Sequence, residues 1–136
     1  MPLLMWSEKM SVGVRQFDTE HQQLIALLND LFDGIEAGRG RDVLGRTLDG
    51  LIDYTQTHFA NEERYLAEHA FPGLAAHQAE HAALTAQVVA EQHKYRAGAS
   101  AVLSLEVMAF FKVWLLKHIQ GTDKGYTSFL NGKGVR

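Results

Sequence analysis

The segment HFANEERYLAEHAFPGLAAHQAEH, residues 58–81, sets His58 four residues before Glu62 and His77 four residues before His81, on either side of a Phe-Pro-Gly break. On a helix, positions i and i+4 share a face with their Cβ atoms about 6 Å apart, so each pair can converge on one metal ion. Each pair also interrupts a run of leucines on the apolar stripe of its helix, which points it into the core. His21 and His118 occupy the apolar stripes of two further helical segments. Asp123 follows His118 by five residues, an advance of about 500° that leaves the two side chains about 140° apart on a regular helix. They share a site only if the helix widens into a π-type turn or ends there, and Gly121 makes such a departure cheap.

A single histidine on an apolar stripe is more often a hydrogen-bonded core residue than a ligand, and an isolated His-x3-Glu is more often an ordinary helix-face pair. Convergence decides between these readings. Burying five imidazoles and their carboxylates without partners costs about 1–3 kcal/mol for each group, whereas a metal site satisfies them together. The candidate ligands are His21, His58, Glu62, His77, His81, His118 and Asp123. His69 and His93 fall off the inward stripes and are expected to face solvent.

Four helices are needed to position these residues. With prolines only at positions 2 and 72, the chain divides at its glycines and at Pro72. The first helix spans about 18–37, with Asp18 as a suitable N-cap and Phe17, His21, Leu24, Leu28, Leu31 and Ile35 in line. The second, 41–69, aligns Leu44, Leu48, Leu51, Thr55, His58, Glu62 and Tyr65. The third, 72–96, aligns Leu74, His77, His81, Leu84 and Val88, and the fourth, 100–121, aligns Leu103, Val107, Phe110, Trp114 and His118. Short connections between helices of this length predict an all-α fold, an antiparallel up-down-up-down four-helix bundle, preceded by an extended N-terminal arm over 1–17.

One domain spanning 1–136 is the natural reading of 136 residues. A formal net charge of -3 gives no basic footprint for nucleic acid. The absence of cysteine excludes disulfides, thiolate zinc sites, iron–sulfur clusters and covalently attached haem, so any metal is held by nitrogen and oxygen. The opening MPLLMWSEKMSV lacks the features of a secretory signal. In VLSLEVMAFFKVWLLKHI the charges of Glu106, Lys112 and Lys117 argue for a packed helix over a membrane span. A cytoplasmic, monomeric protein without membrane insertion is expected, with no conspicuous apolar surface patch.

Seven donors exceed one tetrahedral zinc site, so two metals are implied, and imidazole with carboxylate suits iron or manganese. Ferritin-like di-iron proteins place four carboxylates around their metals, and here only two face inward. More neutral nitrogen keeps ferrous iron accessible, as reversible oxygen chemistry requires.

The chain resembles the hemerythrin family: WSEKMSVGVRQFDTEH is similar to its N-terminal arm and first ligand, HFANEE to its second-helix pair, FPGLAAHQAEH to its third and HIQGTD to its fourth. The resemblance implies two iron ions, one bound by His77, His81 and His118 and the other by His21 and His58. Glu62 and Asp123 would bridge them together with an oxide or hydroxide, leaving one open position on the second iron where dioxygen binds reversibly. Residues adjacent to these ligands or one turn away, Leu24, Phe59, Trp114, Leu115 and Ile119, are apolar. As an oxygen pocket they would exclude water and offer no acid. Trp6 resembles an aromatic that caps the site in bacterial members. The implied function is reversible dioxygen binding for transport, storage or delivery to an oxygen-consuming enzyme, without catalysis. The alternatives are an oxygen or redox sensor acting through a separate partner, or a di-iron redox enzyme acting on peroxide, nitric oxide or ferrous iron.

Overall fold

The protein is described by a computed structural model over residues 4–98 and 102–136. Its elements assemble into four helical rods. The first is α1, Arg15–Glu36, and the second runs from α2, Gly40–Tyr54, through a π-helical turn, Thr55–Phe59, into α3, Ala60–Glu68. The third is α4, Leu74–Arg96. The fourth begins with α5, Val102–Lys117, widens into a second π-helical turn, His118–Thr122, tightens into a 3-10 turn, Asp123–Tyr126, and ends in the short α6, Thr127–Gly132. Connections of three to five residues force each rod to double back on the last.

The inward stripes follow the apolar periodicity. Phe17, His21, Leu24, Leu28 and Leu31 of α1 are buried, as are Leu44, Leu48, Leu51, Thr55, His58 and Glu62 of the second rod. Beyond Glu62 the buried position is Leu66 rather than the expected Tyr65, which is half-buried. The π turn holds an extra residue, so the inward stripe resumes at a four-residue step. On α4 the buried residues include His77, His81, Leu84 and Val88.

Two expectations fail on α5. Phe110 is 41% exposed, and the inward stripe is Val107, Phe111, Leu115 and His118. Apolar residues fall on every side of this helix, and Glu106, Lys112 and Lys117 do not share one face, so its sequence lacks the contrast that sets helical phase. For the same reason Leu105 and Val113, 50% and 53% exposed, join Phe110 in an apolar outer face, contrary to the expectation of no such patch. The expected helix start at Ser100 and the side chain of Leu103 lie outside the described residues.

From Leu4 onward the arm is tied down at several points. Asn29 accepts a hydrogen bond from the Leu4 backbone N–H at 2.9 Å and donates one to the Leu4 carbonyl at 2.8 Å. Met10, Val12 and Val14 are buried, and Thr127 and Asn131 of α6 donate to the carbonyls of Val12 and Gly13 at 2.7 and 3.0 Å. Gly13 has φ +75, and a Cβ there would stand 2.7 Å from Thr127 Cγ2, so only glycine fits between arm and α6. Asp18 is not an N-cap: α1 begins at Arg15, and the Asp18 carboxylate instead accepts from Ser11 Oγ and the Val12 N–H at 2.6 and 2.8 Å. Among the described residues, no helix is long and apolar enough to cross a membrane.

Candidate metal centre

All seven candidate ligands come together in the bundle interior, each at most 4% exposed. Regular helix accounts for His21 on α1 and for His77 and His81, which project from successive turns of α4. The other two rods need their π turns. His58 lies within the turn Thr55–Phe59, and His118 opens the turn His118–Thr122, which carries Asp123 round to the same side. The five-residue offset, awkward on a regular helix, matches the i to i+5 repeat of the widened turn.

The two carboxylates are each used from both sides. Glu62 Oε1 stands 2.7 Å from His77 Nε2 and 3.2 Å from His81 Nε2, while its Oε2 stands 3.0 Å from His58 Nε2 and 3.5 Å from His21 Nε2. Asp123 Oδ1 is 2.9 Å from His118 Nε2 and 3.1 Å from His77 Nε2, and Oδ2 is 3.1 Å from His21 Nε2. One set of oxygens therefore faces His77, His81 and His118, and the other faces His21 and His58. The potential ligand atoms of Glu62, His77, His81, His118 and Asp123 all lie within 4.8 Å of one another, as do those of His21, His58 and Glu62.

This donor set fits metal ions better than it fits a self-contained polar core. His21 Nε2, His81 Nε2, both nitrogens of His118 and both oxygens of Asp123 are buried without a hydrogen-bond partner. Leaving so many groups unsatisfied costs about 1–3 kcal/mol each, and their lone pairs converge where cations would satisfy them. Electrostatics agree. Burial alone would lower the pKa of His21 and His77, yet the Asp123 and Glu62 carboxylates facing them raise them to about 9 and about 10. Burial would likewise raise Glu62 and Asp123, but the surrounding imidazoles hold both carboxyls well below the ordinary range. Such a cluster attracts positive charge, supplied by protons or by metal ions.

A second layer of acids escaped the sequence reading. His58 Nδ1 donates to Glu20 Oε1 at 2.5 Å, His81 Nδ1 donates to Glu63 Oε2 at 2.8 Å, and His118 Nδ1 lies 3.6 Å from Glu80 Oε2. Carboxylates behind imidazoles fix the tautomer and turn the opposite nitrogen toward the centre. Their signal was adjacency: Glu20, Glu63 and Glu80 each neighbour a ligand in sequence, although all three serve a histidine on another rod. Tyr126 was also missed, and its hydroxyl donates to Glu62 Oε2 at 3.0 Å.

Among the pocket candidates, Leu24, Phe59, Leu115 and Ile119 are buried and Trp114 is half-buried. Phe59 stacks on His81 with ring centroids 3.6 Å apart, and Trp114 stacks on His118 at 4.4 Å. Trp6 lies with Leu4 beside Gln22, Ile25 and Asn29 on the flank of α1. His69 and His93 stand apart from the cluster. His93 is exposed as expected, whereas His69 is half-buried and its Nδ1 donates to the Tyr65 carbonyl at 2.8 Å.

Comparison with known proteins matches this arrangement to one family. Residues 12–130 match the family model described as the hemerythrin HHE cation binding domain. The chain is similar to bacteriohemerythrin of Methylococcus capsulatus, at 33% identity over 93% of this chain and 95% of that one. It is also similar to bacteriohemerythrin of Stenotrophomonas maltophilia, at 32% identity over 93% and 80% of the two chains. A crystal structure of wild-type hemerythrin superposes with a TM-score of 0.83 at 32% identity, covering 93% of this chain and 96% of that one. With a cation-binding cluster at the heart of a matching bundle, this chain belongs to the hemerythrin family.

Proposed function

We propose that this chain is a non-haem di-iron protein that binds dioxygen reversibly, for transport, storage or delivery to an oxygen-consuming enzyme. In this reading His77, His81 and His118 hold one iron, and His21 and His58 hold the other. Glu62 and Asp123 would supply a carboxylate to both, with an oxide or hydroxide completing the pair. The observation that carries the reading is the two-sided use of both carboxylates, with three imidazoles on one side and two on the other. A bridging role uses both oxygens of each acid, and the side with two imidazoles has one donor fewer, which is where an outside ligand finds room. The relatives named bacteriohemerythrin and myohemerythrin support the same assignment.

The iron pair, when bound, supplies the two electrons that dioxygen takes up on binding and returns on release. The protein's part is to hold and to exclude. Glu20 and Glu63 fix the His58 and His81 rings through Nδ1, and stacking by Phe59 and Trp114 fixes the planes of His81 and His118. Leu24, Leu115 and Ile119 wall the centre with apolar surface, so water and its protons are kept out and irreversible oxidation is slowed.

The test is the visible absorption spectrum of the iron-loaded, reduced chain while air is admitted and removed. A charge-transfer band that rises with air and disappears on deoxygenation, over several cycles, is the expected result. One-way conversion to an oxidised form would overturn reversible binding.

A further inference from the structure

Among the described residues, the hydroxyls near the centre have protein partners with one exception. Thr55 donates to the Ile52 carbonyl, Tyr126 to Glu62 and Tyr65 to Gln16. Tyr54 does not: its ring is 8% exposed and its hydroxyl is buried with no hydrogen-bond partner among the described residues. The ring stacks on His58, with centroids 4.9 Å apart and planes 27° from parallel. It stands one helical turn before this histidine, on the side of the centre that has only two imidazoles. The ring also lines a groove of about 360 Å³ between α1 and the second rod, shared with Glu20, Leu27, Gly50 and His58.

We propose that the Tyr54 hydroxyl donates a hydrogen bond to a small anionic or dioxygen-derived ligand on the His21–His58 side of the centre. This rests on the di-iron reading given above. It replaces the expectation of an entirely apolar pocket with one that carries a single polar donor, placed by stacking on a ligand imidazole. A buried hydroxyl without a partner destabilises the fold, and a ligand that accepts its proton removes that cost.

The test titrates iron-loaded, oxidised chain with azide, comparing the parent with Tyr54→Phe. The expected result is azide binding weakened about fivefold to tenfold at unchanged iron content, the loss of one ordinary hydrogen bond. Transfer to heavy water should shift the infrared stretch of bound azide in the parent and leave it unshifted in Tyr54→Phe. In the metal-free chain, which has no ligand to accept from the hydroxyl, Tyr54→Phe should melt no lower than the parent. Equal azide affinities, or an isotope shift that survives in Tyr54→Phe, would overturn the proposal. A parent that takes up no iron pair and binds no azide would instead overturn the di-iron reading beneath it.

Discussion

The same four rods are held together in two different ways along their length. In the half that contains Leu28, Leu31, Leu44, Leu48 and Val88, the interior is mainly apolar, and its buried polar groups, Thr47 and Glu91, find partners within the chain. Its cohesion comes from area removed from water, is indifferent to pH and needs nothing from outside. In the half that contains the centre, seven imidazole and carboxylate side chains occupy positions that leucine would otherwise fill, and several of their atoms have no partner within the protein. One half therefore supplies the stability that lets the other keep an arrangement unfavourable on its own. A small bundle can carry an unsatisfied polar core only while enough of its length remains ordinary.

Removing ligands should separate the halves most sharply. His118→Ala and His77→Ala are expected to abolish stoichiometric binding of two irons, whereas His69→Ala keeps it, and equal metal content in all three would break the assignment. Next in size is the outer layer. Glu20→Gln should weaken iron affinity about 10- to 100-fold by releasing the His58 ring, measured by competition with a chelator. In the apolar half, Leu48→Ala should cost about 2–5 kcal/mol in denaturant unfolding while iron stoichiometry under native conditions stays the same.

The pH dependence of the chelator-treated chain sharpens the contrast further. His21 and His77 are raised above their ordinary 6.5 to about 9 and about 10, so their contribution is complete below about pH 6.5 and is lost as pH rises through those values. The melting temperature should fall across that window, and Leu48→Ala should fall in parallel from a lower starting point. Iron binding near pH 7 should release protons, because those imidazoles must be neutral to act as ligands. The smallest expected effect is at the wall: Leu115→Ala should accelerate autoxidation while changing iron content little, and an unchanged rate would reduce Leu115 to packing.

Much of this was legible in the sequence, for identifiable reasons. His58, Glu62, His77 and His81 stood out because a polar group on a leucine stripe breaks a strong periodic signal. The offset between His118 and Asp123 called for a widened turn or a helix end, and Gly121 marked where either could form. The turn at Thr55–Phe59 carried no such mark, since no glycine or proline punctuates it and the i to i+4 spacing of His58 and Glu62 already suits a regular helix. Phe110 and Phe111 could not be told apart in a helix with no polar face to set its phase. Glu20, Glu63 and Glu80 look like ordinary surface acids, and their partners become visible only when rods distant in sequence are brought side by side. Asp18 was assigned from local preference, which lost to the tertiary demand of anchoring the arm.

The two π turns have a consequence for how this chain can change length. Each holds one residue more than a regular turn, and each rod continues beyond it with side chains still in use, Leu66 after the first and Asp123, Tyr126 and Leu130 after the second. Deleting a single residue from either turn would close it to a regular helical repeat, about 400° over four residues in place of one full turn over five, turning everything downstream by about 40° and drawing those groups off their places in the centre and the core. Substitutions in these turns touch one position, whereas an insertion or deletion there behaves like a frameshift written in three dimensions.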